Sequence, residues 1–354
     1  MSIRKTQDKK TLLLIDGNSL LHRAYHALPP LTDRNGEMAN AVFGFSNMLI
    51  KAINELKPTH VACTFDTAAP TFRHIEFEKY KAQRKAPPPD LYPQLPKVKK
   101  VLDVFGIPYF EKEGFEADDL LATLATQVLR LKTKDQRLKS KKSEKALDLN
   151  HSSFDIVILS GDRDVLQLVD GNIKVQMPGW NLNQTSLYGA KEVKEKFGLE
   201  THQMVDYKSL IGDPSDNIPG IAGIGPKTAA TLLQKYHTLE NLFDHVKETP
   251  LTVQTKLVAG KDTALAAKRL VELDRDVDLT HSTSSGSSKF DIGNLKFDPN
   301  WDRVRAEYED LGFKSIAAKI PGLHTANSEQ QTEKQKAVSG KQSANNTDDQ
   351  LKLI

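Results

Sequence analysis

The sequence predicts an α/β fold, a central and mostly parallel sheet flanked by helices, followed by a helical C-terminal part. Three observations predict it. Apolar runs at Leu12–Ile15, His60–Phe65 and Ile156–Ser160 read as strands, and each leads into an aspartate. Segments with helical spacing of apolar residues alternate with those runs. A glycine-rich turn near residue 220 then opens a region of helices. In an open parallel sheet, sites form outside the carboxyl ends of the strands. The strand-terminal acids would therefore share one crevice, which they cannot do in ionised form without cations to neutralise them.

Composition narrows the class. The chain has 354 residues, 38% hydrophobic and 27% charged, enough for a large core and one or two domains. The net charge is only +3, but acids and bases are segregated along the chain, which suggests an anionic polymer as partner. Cys63 is the single cysteine, set in an apolar strand as a small core residue. No disulfide framework is possible within one chain, in keeping with a reducing cytoplasm. The apolar run after Lys9-Lys10 is too short for a signal peptide, and no run reaches the length of a membrane span.

Taken in order, the first strand (10–15) passes through Asp16-Gly17-Asn18-Ser19 into a helix with Leu20, Leu21, Ala24 and Ala27 on one face. His22, Arg23, Tyr25 and His26 fall on the other. The histidines fit a solvated surface, whereas Arg23 and Tyr25 are candidates for phosphate and base contact. Pro29-Pro30 stops this helix, Asn35-Gly36 marks a turn, residues 40–56 form a second helix, and Lys57-Pro58 breaks into the strand ending at Asp66.

After Asp66 the chain turns basic. Arg73, Lys79, Lys81, Arg84 and Lys85 interleave with Phe72, Phe77 and Tyr80 before Pro87-Pro88-Pro89 and Lys97, Lys99 and Lys100. Cations beside rings suit a single-stranded nucleic acid, whose phosphates they track and whose bases they stack. An ordinary exposed charged helix is the alternative. Next, Gly114-Phe-Glu-Ala-Asp-Asp places Glu116, Asp118 and Asp119 at the start of a Leu/Ala-rich helix. Acids there can simply complement the helix dipole, or they can join the crevice.

Residues 131–145 hold seven bases and two acids without apolar periodicity, so 131–153 reads as a surface loop or helix extension. The strand at 156–160 delivers Asp162 and Asp164, whose i, i+2 spacing can aim both at one metal. Residues 173–177 form a strand and 190–197 a helix. Asp213 and Asp216 then precede Gly220, Gly223 and Gly225, which enter a helix at Lys227-Thr228. Pro226 rules against a phosphate-binding P-loop. The turn reads instead as a helix-hairpin-helix whose N–H groups hold a backbone phosphate. Residues 264–277 are helical, 282–288 a loop, 299–319 contain a last helix, and the tail from 324 has the composition of a disordered segment.

These motifs resemble the 5′-nuclease (flap endonuclease) family, most closely the 5′–3′ exonuclease domain of bacterial DNA polymerase I, over residues 10–322. The pieces are Ile-Asp-Gly-Asn, Thr-Phe-Asp, Phe-Arg-His with Tyr-Lys-Ala-Gln-Arg, Glu-Ala-Asp-Asp, Gly-Asp-Arg-Asp and Gly-Asp-Pro-Ser-Asp-Asn-Ile-Pro-Gly. The resemblance implies a PIN-like 5′-nuclease core, 1–189, with an arch at about 70–100, and the basic insertion at 131–153 departs from the family's pattern as a longer loop that bears on substrate preference. A DNA-binding helical part would span 190–323 with its hairpin at 210–236, and a tail 324–354.

By the same resemblance, Asp16, Asp66, Glu116, Asp118, Asp119, Asp162, Asp164, Asp213 and Asp216 would bind two Mg²⁺ or Mn²⁺ ions, directly or through water. Lys81 and Arg84 would meet the scissile phosphate from a helical arch that also carries Tyr80, and Arg73 would join the DNA contacts. The hairpin would grip the duplex, with a K⁺ ion on its carbonyls. All-oxygen ligands favour hard cations over zinc.

The implied activity is structure-specific hydrolysis of DNA, and of RNA primers, at 5′ flaps and nicks in replication and repair. The setting would be a bacterial, nucleoid-associated cytoplasmic monomer. Because no polymerase segment follows, the chain would be stand-alone or a fragment, with a polymerase acting in trans or in a longer chain. Gln350-Leu351-Lys352-Leu353-Ile354 resembles the peptide by which bacterial replication proteins dock on the sliding clamp. A PIN-type ribonuclease and a non-catalytic branched-DNA binder are the alternatives; the arch and hairpin speak against the first, the full set of acids against the second.

Overall fold

β1 (Lys10–Asp16) lies inside a six-stranded sheet, because its residues are apolar on both faces and need cover on both. The computed structural model describes residues 10–139, 154–179, 184–280 and 291–321. After β1 come α1 (Gly17–Ala27), α2 (Asn40–Leu56), β2 (His60–Phe65), α3 (Phe72–Glu76), α4 (Leu95–Phe105), β3 (Tyr109–Glu111) and α5 (Ala117–Lys139). β4 (Phe154–Leu159), β5 (Ile173–Pro178), β6 (Thr185–Tyr188) and α6 (Ala190–Phe197) complete the sheet layer's sequence. The helical part holds α7 (Met204–Ile211), α8 (Pro226–Tyr236), α9 (Leu239–Asp244) and α10 (Leu251–Val271), and α11 (Trp301–Asp310) and α12 (Lys314–Ala317) follow.

The strand order is β3-β2-β1-β4-β5-β6. All pairings are parallel except β5 with β6, so the sheet is mixed with one antiparallel edge. The chain builds outward from β1 to β3 on one side and from β4 on the other. The order therefore reverses between β1 and β4, and a crevice opens at their carboxyl ends.

Alternation along β1 divides the core. Leu13 and Ile15 pack with α1, α2, α4, α11 and α12, while Leu12 and Leu14 pack with α5. Every one of these four leucine and isoleucine side chains is fully buried. The segment expected as one helical part, 190–323, thus serves two packing units: α7 to α10 build their own apolar cluster, whereas α11 and α12 return to the sheet. Two short strands, Gly212–Asp213 and Ile218–Pro219, pair antiparallel between α7 and α8.

Several expectations need correction. The arch segment is not helical throughout: α3 spans five residues, and the chain from 77 to 91 runs in turns and extended backbone. Pro87-Pro88-Pro89 has no N–H to donate to a helix, and Lys81 holds a left-handed backbone with φ of +54°. Residues 95–100 do not belong to an arch either; they begin α4, whose Val98, Val101, Leu102 and Phe105 are buried. Ala27 is exposed at the C-terminal end of α1. α10 begins earlier than expected, at Leu251, and ends at Val271. α5 extends to Lys139, so the start of the basic segment is helical. The rest of that segment, the 282–288 loop, the tail and the 350–354 peptide lie outside the described residues. No helix among the described residues is long and apolar enough to cross a membrane.

Candidate active site

The ends of β1 to β4 contribute acids to one cleft of about 650 Å³. Asp16 closes β1, Asp66 follows β2, Glu116 and Asp118 stand where the chain from β3 enters α5, and Asp162 and Asp164 follow β4. Asp213 comes from the short hairpin after α7 and completes seven lining carboxylates. Local chemistry fixes each one. Asp16 caps α1 by accepting the Ser19 N–H at 2.9 Å, and its other oxygen accepts the Ser160 hydroxyl at 2.7 Å. The Ser160 hydroxyl oxygen in turn accepts the Asp162 N–H at 2.9 Å. Asp66 accepts from the Asn18 side chain and from the Ala117 N–H, both at 2.8 Å, which ties the end of β2 to the start of α5.

Crowding and burial raise four of the acids. Burial pushes Asp16 up to about 7 against the pull of its Ser160 and Ser19 donors. Asp66 is raised, first by burial and then by Glu116, and Asp118 well raised by burial, Asp119 and Glu116. Burial also raises Asp162, against the opposing Lys208 charge. Asp213 goes the other way: burial would lift it, but the Lys208 ammonium and the Ser215 donors hold it below the ordinary carboxylate range.

Cations stand among the acids. Lys81 Nζ donates to Glu116 Oε1 at 2.6 Å and lies 3.7 Å from Asp216. Arg84 donates to Asp216 Oδ1 at 2.5 Å. Lys208 bridges Asp164 and Asp213, the latter at 2.6 Å. Burial would lower the Lys81 ammonium, but Glu116 and Asp216 outweigh it and raise it. Tyr80 lies under this layer, 3% exposed, with its single hydroxyl proton set between Glu116 at 2.9 Å and Asp216 at 3.0 Å. Its phenol is locked on the protonated side by burial and those two charges. The expected role of Tyr80 in DNA contact is thus replaced by a buried link between two acids.

Asp216 borders the cleft through Lys81, Arg84 and Tyr80. Two other expected residues are elsewhere. Asp119 is fully buried and takes a two-pronged ion pair from Arg73 at 2.7 and 2.8 Å, so its oxygens are not directed at the cleft. Arg73 is 1% exposed and out of reach of any polymer on the surface. On α1, the half-buried Arg23 and Tyr25 make bonds within the chain, Arg23 to the Gly179 carbonyl and Tyr25 to Asp90 at 2.7 Å. The hairpin lies apart. Gly223 has a φ of +78°, and a Cβ at Gly220 would fall 2.2 Å from the Ile211 carbonyl carbon. Gly225 caps α8 without a side-chain acceptor, and Pro226 and Lys227 are exposed beside the half-buried Thr228.

The reading from sequence missed Lys208, Asn18 and Ser160. Asn18 and Ser160 adjoin the strand-end acids and were findable as donors; Lys208 is a lone helix lysine with no sequence signal beyond its distance of five from Asp213. Among the described residues, no group of three Asp, Glu, His or Cys side chains already forms a metal cage. The donor set nonetheless fits hard divalent ions. All seven side chains offer oxygen, burial raises Asp16, Asp66, Asp118 and Asp162, and the Lys81 and Lys208 ammonium groups now supply countercharge that an ion would supply.

Residues 11–141 match the model of the 5′–3′ exonuclease N-terminal, resolvase-like domain, and residues 199–290 that of the 5′–3′ exonuclease C-terminal SAM fold. DNA polymerase I of Caldicellulosiruptor bescii is 38% identical over 314 residues, covering 87% of this chain and 33% of that protein. DNA polymerase I of Bacillus subtilis is 36% identical over 325 residues, covering 91% and 33%. The chain spans about a third of the length of these relatives. Among solved structures, the fold is similar to a bacteriophage T5 flap endonuclease in complex with DNA and metal ions, with a TM-score of 0.57 at 17% identity over 87% of this chain and 100% of that one. It is also similar to the catalytic core of Rad2 in complex with DNA substrate, with a TM-score of 0.51 at 16% identity over 86% and 88%.

Proposed function

This chain belongs to the 5′–3′ exonuclease family, and from that premise we propose that it hydrolyses phosphodiester bonds at 5′ flaps, nicks and RNA primers with two divalent ions. The observation that carries the reading is the convergence of seven carboxylates on one cleft at the carboxyl ends of the strands, overlaid by Lys81 and Arg84. Glu116, Asp118, Asp162 and Asp164 would hold one Mg²⁺ or Mn²⁺ ion, with Asp16 and Asp66 beside them, and Asp213 and Asp216 would serve the second. Bound there, such ions supply Lewis acidity and lower the pKa of a coordinated water.

The chain's own groups do the rest. Ser160, Ser19 and Asn18 fix the carboxylates of Asp16 and Asp66, so little reorganisation is left for the reaction. Lys81 and Arg84, released from Glu116 and Asp216 when those acids take other partners, would offset charge developing on the phosphate. The exposed first turn of α8, with Lys227, Thr228, Gly220, Gly223 and Gly225, would hold a duplex phosphate, with K⁺ on the hairpin carbonyls.

Partners follow from the same reading: branched DNA, a polymerase in trans or in a longer chain, and a monomeric state in the bacterial cytoplasm and nucleoid. Gln350 to Ile354 would dock on a sliding clamp; removing residues 350–354 should abolish clamp binding and leave cleavage of free DNA intact, and retained clamp binding would refute it. The enzyme reading is tested on a 5′-labelled flap duplex with wild type and Asp162→Ala, in Mg²⁺ and in EDTA. Cutting near the junction that needs Mg²⁺, and that the variant loses while still binding, supports it. Binding without cutting in any metal would mean a non-catalytic binder, and cutting of single-stranded RNA alone a ribonuclease.

A further inference from the structure

Arg73 and Asp119 stand outside the acidic cleft yet tie together the elements that frame it. The Arg73 guanidinium is paired on both prongs with Asp119, while its Nε donates to the Leu270 carbonyl at 2.8 Å and Nη2 to the Glu272 carbonyl at 3.2 Å. Those two carbonyls lie at the C-terminal end of α10. Asp119 also accepts the N–H of Glu116 at 3.0 Å and that of Asp274 at 2.9 Å. One buried pair thus joins α3, the entrance of α5 and the exit of α10. A two-pronged pair fixes orientation as well as distance. Further up, α10 holds the glycine-rich hairpin, where Lys256 Nζ donates to the Gly223 carbonyl at 3.1 Å.

We propose that Arg73 and Asp119 are positioning residues for the acidic cleft: the pair holds the Glu116 backbone against α10, and through it the Glu116 and Asp118 carboxylates. Asp119 then orients ligands rather than serving as one. Buried partners that orient ligating carboxylates commonly govern metal affinity and turnover while touching neither metal nor substrate. This role presupposes that the cleft is the catalytic centre proposed above, so the test separates the two ideas.

Arg73→Lys keeps the charge and loses the fork; Asp119→Asn keeps one carbonyl oxygen and loses the charge. Arg269→Gln is the control, since it breaks an exposed bridge from α10 to α3, Arg269 to Glu76 at 2.9 Å, that has no contact with Glu116. Melting temperature, Mn²⁺ binding without DNA by electron paramagnetic resonance, and kcat and KM on a flap duplex are measured for each. Folded Arg73→Lys is expected to lose about 10- to 100-fold in both Mn²⁺ affinity and kcat, with KM for DNA within about twofold and Arg269→Gln at wild-type values. A folded variant with wild-type Mn²⁺ affinity and kcat would overturn the proposal, and Asp119→Asn decides the matter if Arg73→Lys does not fold. If wild type binds Mn²⁺ but cuts no DNA, the nuclease reading fails while the Mn²⁺ affinities still judge the pair.

Discussion

Lys81 occupies a left-handed backbone conformation that residues with a Cβ seldom adopt, and its N–H donates to the Asp216 carbonyl at 2.9 Å. Strain of this kind persists where the surroundings over-determine it, which is common at functional sites. The ammonium is raised by Glu116 and Asp216 against the effect of burial, so it stays charged. Replacing it by Ala should therefore lower kcat on a flap substrate by on the order of 10²–10³ with little change in KM, as for loss of one preorganised electrostatic group. An unchanged single-turnover rate would show that Lys81 only fills space between acids. In sequence Lys81 is one of several bases interleaved with aromatics after Asp66; its part at the phosphate is implied by the resemblance alone, and the structure places it on the cleft. The placement of Asp119 was not legible: it adjoins Asp118 in sequence, but its oxygens pair with Arg73, 46 residues away. The burial of Tyr80 was not legible either, since an aromatic among bases in sequence has its hydroxyl set between two acids.

At the scale of elements, the strands that end on acids were the easiest to read. β1, β2 and β4 are unbroken apolar runs because both faces of a parallel sheet are covered. β3 escaped notice because it has only three residues, Tyr109–Glu111. α4 was hidden by its surface lysines, although Val98, Val101, Leu102 and Phe105 carry helical spacing. The arch was expected to be helical, but its prolines and the bonds it makes to the 213–217 loop favour turns: Asn217 donates to the Lys79 carbonyl at 2.7 Å. The hairpin was legible from its glycines, since Gly220 approaches the Ile211 backbone too closely for any side chain. If it holds a duplex phosphate, Lys227→Ala should weaken binding to duplexes of any sequence and reduce the slope of log affinity against log salt by about one. An unaltered slope would place the duplex on another surface.

For the molecule as a whole, the switch in strand order between β1 and β4 makes one crevice the meeting point of acids from residues 16 to 213. The helical part delivers Asp213 and Lys208 to the same cleft, and α10 runs from the hairpin toward the acidic end of α5. The hairpin and the carboxylates thereby belong to one connected body. The countercharge in the present arrangement comes from lysine and arginine, a task that divalent ions would take over in the proposed reaction. Anomalous scattering from crystals equilibrated with Mn²⁺ tests this most directly. The expected result is Mn²⁺ within the cleft lined by Glu116, Asp118, Asp162 and Asp164, with Lys208 withdrawn from Asp164. Mn²⁺ absent from the cleft at saturating concentration, with Lys208 still bridging Asp164 and Asp213, would contradict it.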